Sequence, residues 1–220
     1  MAYEAHDLSY ADRVVRQVPG LHDMHRLARL LLAERVPVDG RVLVLGAGGG
    51  MELKAFADAQ PGWRFDGVDP APDMLDKARA TVGDAIHRIA FHEGYIDDAP
   101  VGPFDGAACL LTLHFLPREE RLRTVREVHR RLKLGAHFVI AQHSFPNKGA
   151  AQDRWLARNA ALLLDSGFPA DMAAKSVGMK HHLPVLSPEQ DADLLREAGF
   201  TDVELFYAAF TFKGWVATRA

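Results

Sequence analysis

The sequence contains very little cysteine, with a single residue, Cys109, among 220. One thiol cannot build a disulfide framework within the chain or a cysteine-rich metal site. No apolar stretch approaches the roughly 20 residues that a membrane-spanning helix needs. The first 20 residues also lack the apolar core of a secretory signal. These absences predict a protein of the cytoplasm, without disulfides and without a membrane partner.

A strong excess of charge is missing as well. The 26 Lys and Arg residues nearly balance the 29 Asp and Glu residues, which leaves a net charge of −3. The most basic segment, a helix predicted over 118–132, interleaves glutamates with its arginines and has no aromatic residues on which bases could stack. Adjacent His181 and His182 have no accompanying set of ligands at metal-binding spacing. We therefore predict no nucleic-acid partner and no metal.

Strands and helices alternate between residues 41 and 144, as in βαβ units. Short apolar runs predict five strands, over 41–45, 65–68, 89–91, 104–113 and 137–144. Helical spacing predicts the intervening helices, over 51–59, 73–81 and 118–132. The chain closes with two further strands, over 202–209 and 211–218, which are joined directly and so predicted to be antiparallel. The pattern predicts an α/β, Rossmann-like, doubly wound, mostly parallel seven-stranded sheet with helices on both faces and an antiparallel C-terminal hairpin.

The length suits a single domain, 1–220, with some decoration. Residues 1–36 form a predicted helical cover at the N-terminus. The core is predicted to comprise 41–145 and 187–219. The helical insertion over 147–186 is interpreted as a substrate cover, and the alternative is an ornament that fills its own small core.

A glycine loop, Gly46-Ala47-Gly48-Gly49-Gly50, follows the first strand. A dinucleotide site requires G-x-G-x-x-G at this point, but the third glycine would fall on Met51 or Leu53 in the two available registers. The loop fits G-x-G-x-G instead. Such a loop allows the backbone to approach a ligand closely, and the following helix directs its N–H groups at that ligand.

Asp69 ends the second strand, about 20 residues after the glycines. A carboxylate at this position can accept hydrogen bonds from both hydroxyls of a ribose. This spacing is shared by several adenosine ligands, so Asp69 predicts a nucleoside but does not identify it. A turn residue before Pro70 that binds nothing is the alternative.

Four segments together resemble the class I S-adenosylmethionine-dependent methyltransferases of the small-molecule, type 11/12 kind. They are the glycine segment VLVLGAGGG, the acidic segment FDGVDPAPDML, the block from FDGAACLLTLHFLP to LGAHFVI, and the closing LLREAGFTDVELFYAAFTFKGWVATRA. The resemblance covers roughly 41–145 and 187–219. It implies that S-adenosylmethionine is the cofactor and S-adenosylhomocysteine the product.

The resemblance also implies which residues line the cofactor. Asp69 is expected at the ribose, Met74 against the adenine, and Arg13 at the carboxylate of the amino-acid end. The remaining expected cofactor contacts are Gly46, Ala47, Gly48, Pro70, Gly94, Tyr95, Ile96 and Leu111. The chain departs from the family where Gly-Asp-Ala often ends the third strand, because Gly94-Tyr95-Ile96 stands there instead. Tyr95 and Ile96 are therefore expected to sandwich the adenine, with Asp97 as a less favoured alternative.

Two histidines follow strands at the predicted ligand edge of the sheet. His114 comes after the fourth strand and His143 after the fifth. Either side chain would serve as a catalytic base if the acceptor must lose a proton. The alternative is that each is a loop histidine whose hydrogen bonds are satisfied by the backbone.

The sequence thus predicts an enzyme that transfers a methyl group to a small molecule by in-line attack on the cofactor's methyl carbon. A protein that binds the cofactor without catalysis, as a sensor or scaffold, stays open, and so does a less favoured NAD(P)-dependent oxidoreductase. RNA or protein methylation is a lesser variant. The oligomeric state, including a homodimer, is left open.

Overall fold

A computed structural model describes residues 9–220 and contains a seven-stranded sheet in the order β3-β2-β1-β4-β5-β7-β6. The strands are β1 (Arg41–Leu45), β2 (Arg64–Asp69), β3 (Ile89–Glu93), β4 (Phe104–Leu110), β5 (Leu132–His143), β6 (Phe200–Ala209) and β7 (Phe212–Arg219). β1 to β5 are parallel, and β7 runs antiparallel between β5 and β6. The predicted fold class and the closing hairpin are confirmed.

Eight α-helices surround this sheet in the described part of the chain. They are α1 (Tyr10–Gln17), α2 (Leu21–Ala33), α3 (Met51–Ala59), α4 (Pro72–Val82), α5 (Arg118–Arg131), α6 (Gly149–Asp165), α7 (Ala170–Val177) and α8 (Pro188–Glu197). α7 lies in a segment whose glycine, proline and methionine content predicts irregular structure. Its Ala173 packs with Leu163 and Phe168 in a small core of the insertion, so tertiary contacts rather than periodicity stabilise this helix.

The apolar strands bury both faces of the sheet, which produces two core layers. Met24 and Leu32 of α2 pack with Phe56 of α3 on one face. Val125 and Val128 of α5 pack with residues of α8 on the other. This two-sided burial explains why the central strands are continuously apolar rather than alternating. The carboxyl ends of β1, β2 and β4 lie side by side at one end of the sheet, at the point where the strand order reverses.

A buried ion pair joins the helices of the second layer. Arg121 of α5 is fully buried and donates to Asp191 of α8, with Nη1 and Oδ1 2.8 Å apart. Gln142 of β5 donates to the same oxygen at 2.6 Å, and Arg121 Nη2 donates to the carbonyl of Pro184 at 2.9 Å. Three backbone segments therefore depend on one pair of charges.

We expect Asp191→Ala to destabilise the protein by about 3–5 kcal/mol, because it leaves the Arg121 charge buried without its partner. The control is Asp193→Ala in the same helix, where an exposed Asp193–Arg196 pair is lost and the expected cost is below about 1 kcal/mol. Urea unfolding of both variants measures the difference. Equal losses would contradict the importance of this pair.

Candidate functional site

The glycine loop joins the end of β1 to the start of α3. Gly46, Gly48 and Gly50 have positive φ angles of 76°, 42° and 76°. A Cβ on Gly46 would lie 2.0 Å from Thr112 Oγ1, which follows β4. The close approach of these two segments therefore requires glycine at this position.

Asp69 joins this loop to the end of β2. Its Oδ2 accepts a hydrogen bond from the Gly48 N–H at 2.9 Å, and its Oδ1 accepts one from the Ala71 N–H at 2.9 Å. The carboxylate thus fixes the separation of the two segments, and its role as a ribose ligand stays a prediction. It also lies at the wall of the cavity described next.

A cavity of about 720 Å³ opens at the carboxyl ends of β1, β2 and β4. This volume is in the range of small-molecule sites. Nine of the eleven predicted cofactor residues line it, namely Gly46, Gly48, Asp69, Pro70, Met74, Gly94, Tyr95, Ile96 and Leu111. The structure therefore brings these nine residues together around one cavity, and their contacts with a cofactor stay predictions.

The other two predicted residues, Arg13 and Ala47, do not line the cavity. Arg13 is exposed on α1, and the residues of that helix that line the cavity are Tyr10 and Val14. Ala47 is fully buried, and its N–H donates to the carbonyl of Val68 at 3.0 Å. Its contribution is the shape of the loop.

The end of the cavity beyond β3 is formed by the turn after Gly94. Ile96 is buried and Tyr95 is exposed, so the two present an apolar surface of uneven depth. Asp97 does not line the cavity; Arg123 donates to both its carboxylate oxygens, at 3.0 and 2.8 Å. Tyr95 N–H is already bonded to Asp98 at 2.9 Å, which leaves stacking as the contribution of its side chain.

A second part of the cavity lining, which we call the helical half, is contributed by the first three helices. It consists of Tyr10 and Val14 of α1, Leu21 and His25 of α2, and Met51 and Glu52 of α3. Tyr10 lies directly over the loop, because a Cβ on Gly49 would approach its Cε1 to 2.6 Å. α1 and α2 thus contribute part of the cavity wall, and the cover over 1–36 stays a prediction. Residues 1–8 of that range are outside the described part.

His25 and Glu52 are two functional candidates that the sequence interpretation missed. Their exposures are only 4% and 8%, although both side chains lie at the cavity wall. His25 falls on the apolar stripe of α2 between Met24 and Ala28, and that position was the available signal. Glu52 is in the first turn of α3, where an acidic residue ordinarily reflects the helix dipole.

Burial shifts the pKa of each of these two side chains in the direction that favours its uncharged form. It lowers the pKa of His25 to about 4, with a smaller contribution from His22. It raises the pKa of Glu52 to about 8, and the nearby Asp69 charge adds to that increase. The helical half therefore contains two polar groups that are mostly neutral at pH 7.

His114 and His143, the predicted catalytic residues, do not line the cavity; His114 is buried and His143 is half-buried. The backbone N–H of His143 donates to His114 Nδ1 at 3.4 Å, and His143 Nδ1 contacts Thr211 Oγ1 at 3.0 Å. The His143 ring stacks on Phe212, with centroids 4.0 Å apart. This placement favours the alternative of satisfied structural histidines over a catalytic base.

The insertion over 147–186 does not line the cavity either. Its residues pack into two small clusters, one around Leu156 and Phe145 and one around Leu163 and Phe168. The ornament alternative therefore describes it better than a direct substrate cover. α6 nevertheless contacts α1, so the insertion supports a helix that lines the cavity.

Residues 9–220 have neither a metal-binding cluster nor a membrane-spanning helix. They contain no group of three or more His, Cys, Asp or Glu residues placed to hold a metal ion. None of the helices in that range is long and apolar enough to cross a membrane.

Comparison with known proteins places these features in a family context. Residues 42–135 match the family model described as a methyltransferase domain. A curated relative, the carboxy-S-adenosyl-L-methionine synthase of Chromohalobacter salexigens, is 26% identical over 217 residues, which cover 96% of this chain and 80% of the relative.

Solved structures share the fold at lower identity. The S-adenosylmethionine-dependent methyltransferase SibL has a TM-score of 0.63 and 22% identity over 94% of this chain and 61% of its own. Human N-acetylserotonin methyltransferase in complex with SAM has a TM-score of 0.61 and 17% identity, over 91% and 54% respectively. The present chain thus spans little more than half the length of these two proteins.

The lowered pKa of His143, about 4 because of burial, predicts a pH dependence of stability. The unfolded imidazole has a pKa near 6.5, so the unfolded state binds more protons between about pH 6.5 and 4 and stability falls as the pH falls. At pH 5 this single group costs about 2 kcal/mol.

We therefore expect His143→Gln to lose about 2 kcal/mol less stability than the parent between pH 7 and pH 5. Urea unfolding at both pH values measures this difference. His181→Gln, at an exposed position, is the control. Parallel curves for His143→Gln and the parent would contradict the burial of a neutral imidazole.

Proposed function

We propose that this chain, which carries a methyltransferase domain on the class I methyltransferase fold, binds S-adenosylmethionine in the described cavity and transfers its methyl group to a small molecule. The predicted resemblance to S-adenosylmethionine-dependent enzymes of this class is confirmed by the family model, the relatives and the fold. The proposal adds to this resemblance that the methyl acceptor is a small molecule.

The residues present suit this cofactor. Asp69 lines the cavity at the end of β2, where its carboxylate would accept hydrogen bonds from the ribose hydroxyls. The apolar end formed by Tyr95, Ile96 and Met74 would take the adenine. The glycine loop and the helical half then remain to hold the amino-acid end of the cofactor and the acceptor.

Bound S-adenosylmethionine supplies a methyl group made electrophilic by its sulfonium. The chain's own part is to hold an acceptor atom in line with that group and to exclude water, and orientation of this kind accounts for much of a catalysed rate. Val14, Leu21 and Met51 supply apolar walls for that purpose. His25 is the imidazole that lines this part of the cavity; its pKa of about 4 leaves it uncharged at pH 7 and suits it to a hydrogen bond with the acceptor rather than to proton removal.

The observation that carries the choice of methyl transfer is the charge of the cavity. Among the described residues, Arg123 is the one Lys or Arg that lines it, and its guanidinium is already bonded to Asp97 and Glu120. The helical half presents Tyr10, His25 and Glu52 and no cation. An anionic acceptor would therefore be buried there without a counter-charge, which is costly.

Carboxy-S-adenosylmethionine synthesis is the second candidate, because the curated relatives with that name match 96% of this chain. Its product carries an added carboxylate, which the same lack of cations disfavours. The two reactions differ in the charge that the cavity must hold, so ligand affinities distinguish them.

Asp69→Asn is expected to weaken binding of S-adenosylhomocysteine by about 10- to 100-fold, since hydrogen bonds to a charged acceptor are lost. Calorimetric titration measures this change. Asp73→Asn, exposed in the first turn of α4 and outside the cavity lining, should bind like the parent, and NADH should give no heat. A folded parent protein that does not bind S-adenosylhomocysteine would refute the proposed cofactor.

We expect carboxy-S-adenosylmethionine to bind at least about 10-fold more weakly than S-adenosylmethionine, because its carboxylate finds no cation in the helical half. Competition against S-adenosylhomocysteine measures both affinities in one format. Equal or tighter binding of the carboxylated ligand would favour the activity of the curated relatives over methyl transfer.

A further inference from the structure

Glu52 is a carboxyl group at the cavity wall for which the reaction above has no use, and we propose that it binds the α-ammonium group of S-adenosylmethionine. This inference rests on the proposed function and assigns one further residue to it. Glu52 would act as a binding residue that selects the amino-acid end of the cofactor, with no part in the methyl transfer itself.

The first support is that, within residues 9–220, no other side chain or backbone group pairs with the Glu52 carboxyl. Its residue is 8% exposed, and apart from its own backbone N–H no described group forms a hydrogen bond with its side chain. Buried carboxyls are ordinarily paired, so one that faces a cavity indicates a missing ligand.

The second support is that the other acidic residues of the cavity are already engaged. Both oxygens of Asp69 accept backbone N–H groups, from Gly48 and Ala71. Glu120 accepts from Arg123 Nε at 3.1 Å and lies on α5, outside the helical half. Among the described residues, Glu52 is therefore the carboxyl in the helical half that is available to a cation.

The third support is the direction in which the cofactor would lie. With its ribose at Asp69 and its adenine between Tyr95 and Ile96, its amino-acid end extends toward the loop and α3. Glu52 is the second residue of that helix. An ammonium group bonded to a carboxylate in a buried site forms one of the stronger hydrogen bonds available to a protein.

The side chains that face Glu52 do not change their own protonation near pH 7. Glu52 therefore titrates separately from them. Burial raises the pKa of Tyr10 and of Cys109 and lowers that of His25, so these three side chains stay neutral. Asp69 contributes a negative charge, and Arg13 lies near Tyr10 with a positive one. Glu52 itself, with a pKa of about 8, is mostly protonated before a ligand binds.

Binding of an ammonium group would then require Glu52 to lose its proton. At pH 7 roughly nine-tenths of the molecules carry that proton, so binding should release close to one proton per site. Glu52→Gln, which keeps the shape of the side chain but cannot ionise, should release none. The balance is simple: the O–H bond of Glu52 breaks, its proton passes to buffer, and the carboxylate accepts a hydrogen bond from the ammonium.

Three ligands test the assignment by calorimetry at pH 7. S-adenosylmethionine and S-adenosylhomocysteine both carry the ammonium group, whereas 5′-methylthioadenosine lacks the whole amino-acid end. We expect Glu52→Gln to weaken the first two by about 10-fold or more and to leave 5′-methylthioadenosine within about twofold. Asp69→Asn is the matched control, since it should weaken all three.

Repeating the titration in buffers of different ionisation enthalpy counts the protons released, and this readout on the parent protein requires no variant to fold. Near one proton with S-adenosylhomocysteine and near zero with 5′-methylthioadenosine supports the assignment. A Glu52→Gln variant that binds all three ligands like the parent, or loses all three equally, overturns it. A parent protein that binds none of them refutes the proposed function as well, which separates the two failures.

Discussion

The hydrogen bonds that Asp69 accepts from Gly48 and Ala71 join the glycine loop to the end of β2, and the shape of the cavity depends on this connection. One carboxylate at the end of β2 fixes the glycine loop after β1, and that loop approaches Thr112 after β4. Three strand ends thereby meet around one space. The two-layered core beneath them keeps the strands in register, so the site depends on the sheet for its position and on Asp69 for its shape.

The helical half adds a second constraint, which is charge. Burial keeps His25 and Glu52 mostly uncharged at neutral pH in the absence of a ligand. A cavity of this kind suits a ligand that brings its own positive charge, as a sulfonium with an ammonium group does, and disfavours added carboxylates. This charge is the ground on which we propose methyl transfer, whereas the curated relatives that match 96% of this chain are named carboxy-S-adenosyl-L-methionine synthases.

Short-range sequence patterns predicted the fold and most of the loops that line the cavity. The glycine register and the spacing to Asp69 depend on local geometry that any sequence reading can use. The position of His25 could not be predicted in that way, because an apolar stripe does not reveal that a cavity lies against it. The same limit applies to His143, whose position at a strand end suggested a site, whereas its ring stacks on Phe212 and does not line the cavity.

Hydrogen exchange with and without S-adenosylhomocysteine tests the central claim most directly, namely that the cavity at the strand ends holds the cofactor under α1 and α2. The account predicts slower exchange at 46–52, 94–98 and 10–17 when the ligand is present, with 170–177 unchanged. Protection confined to the insertion over 147–186, or none at 46–52, would contradict it.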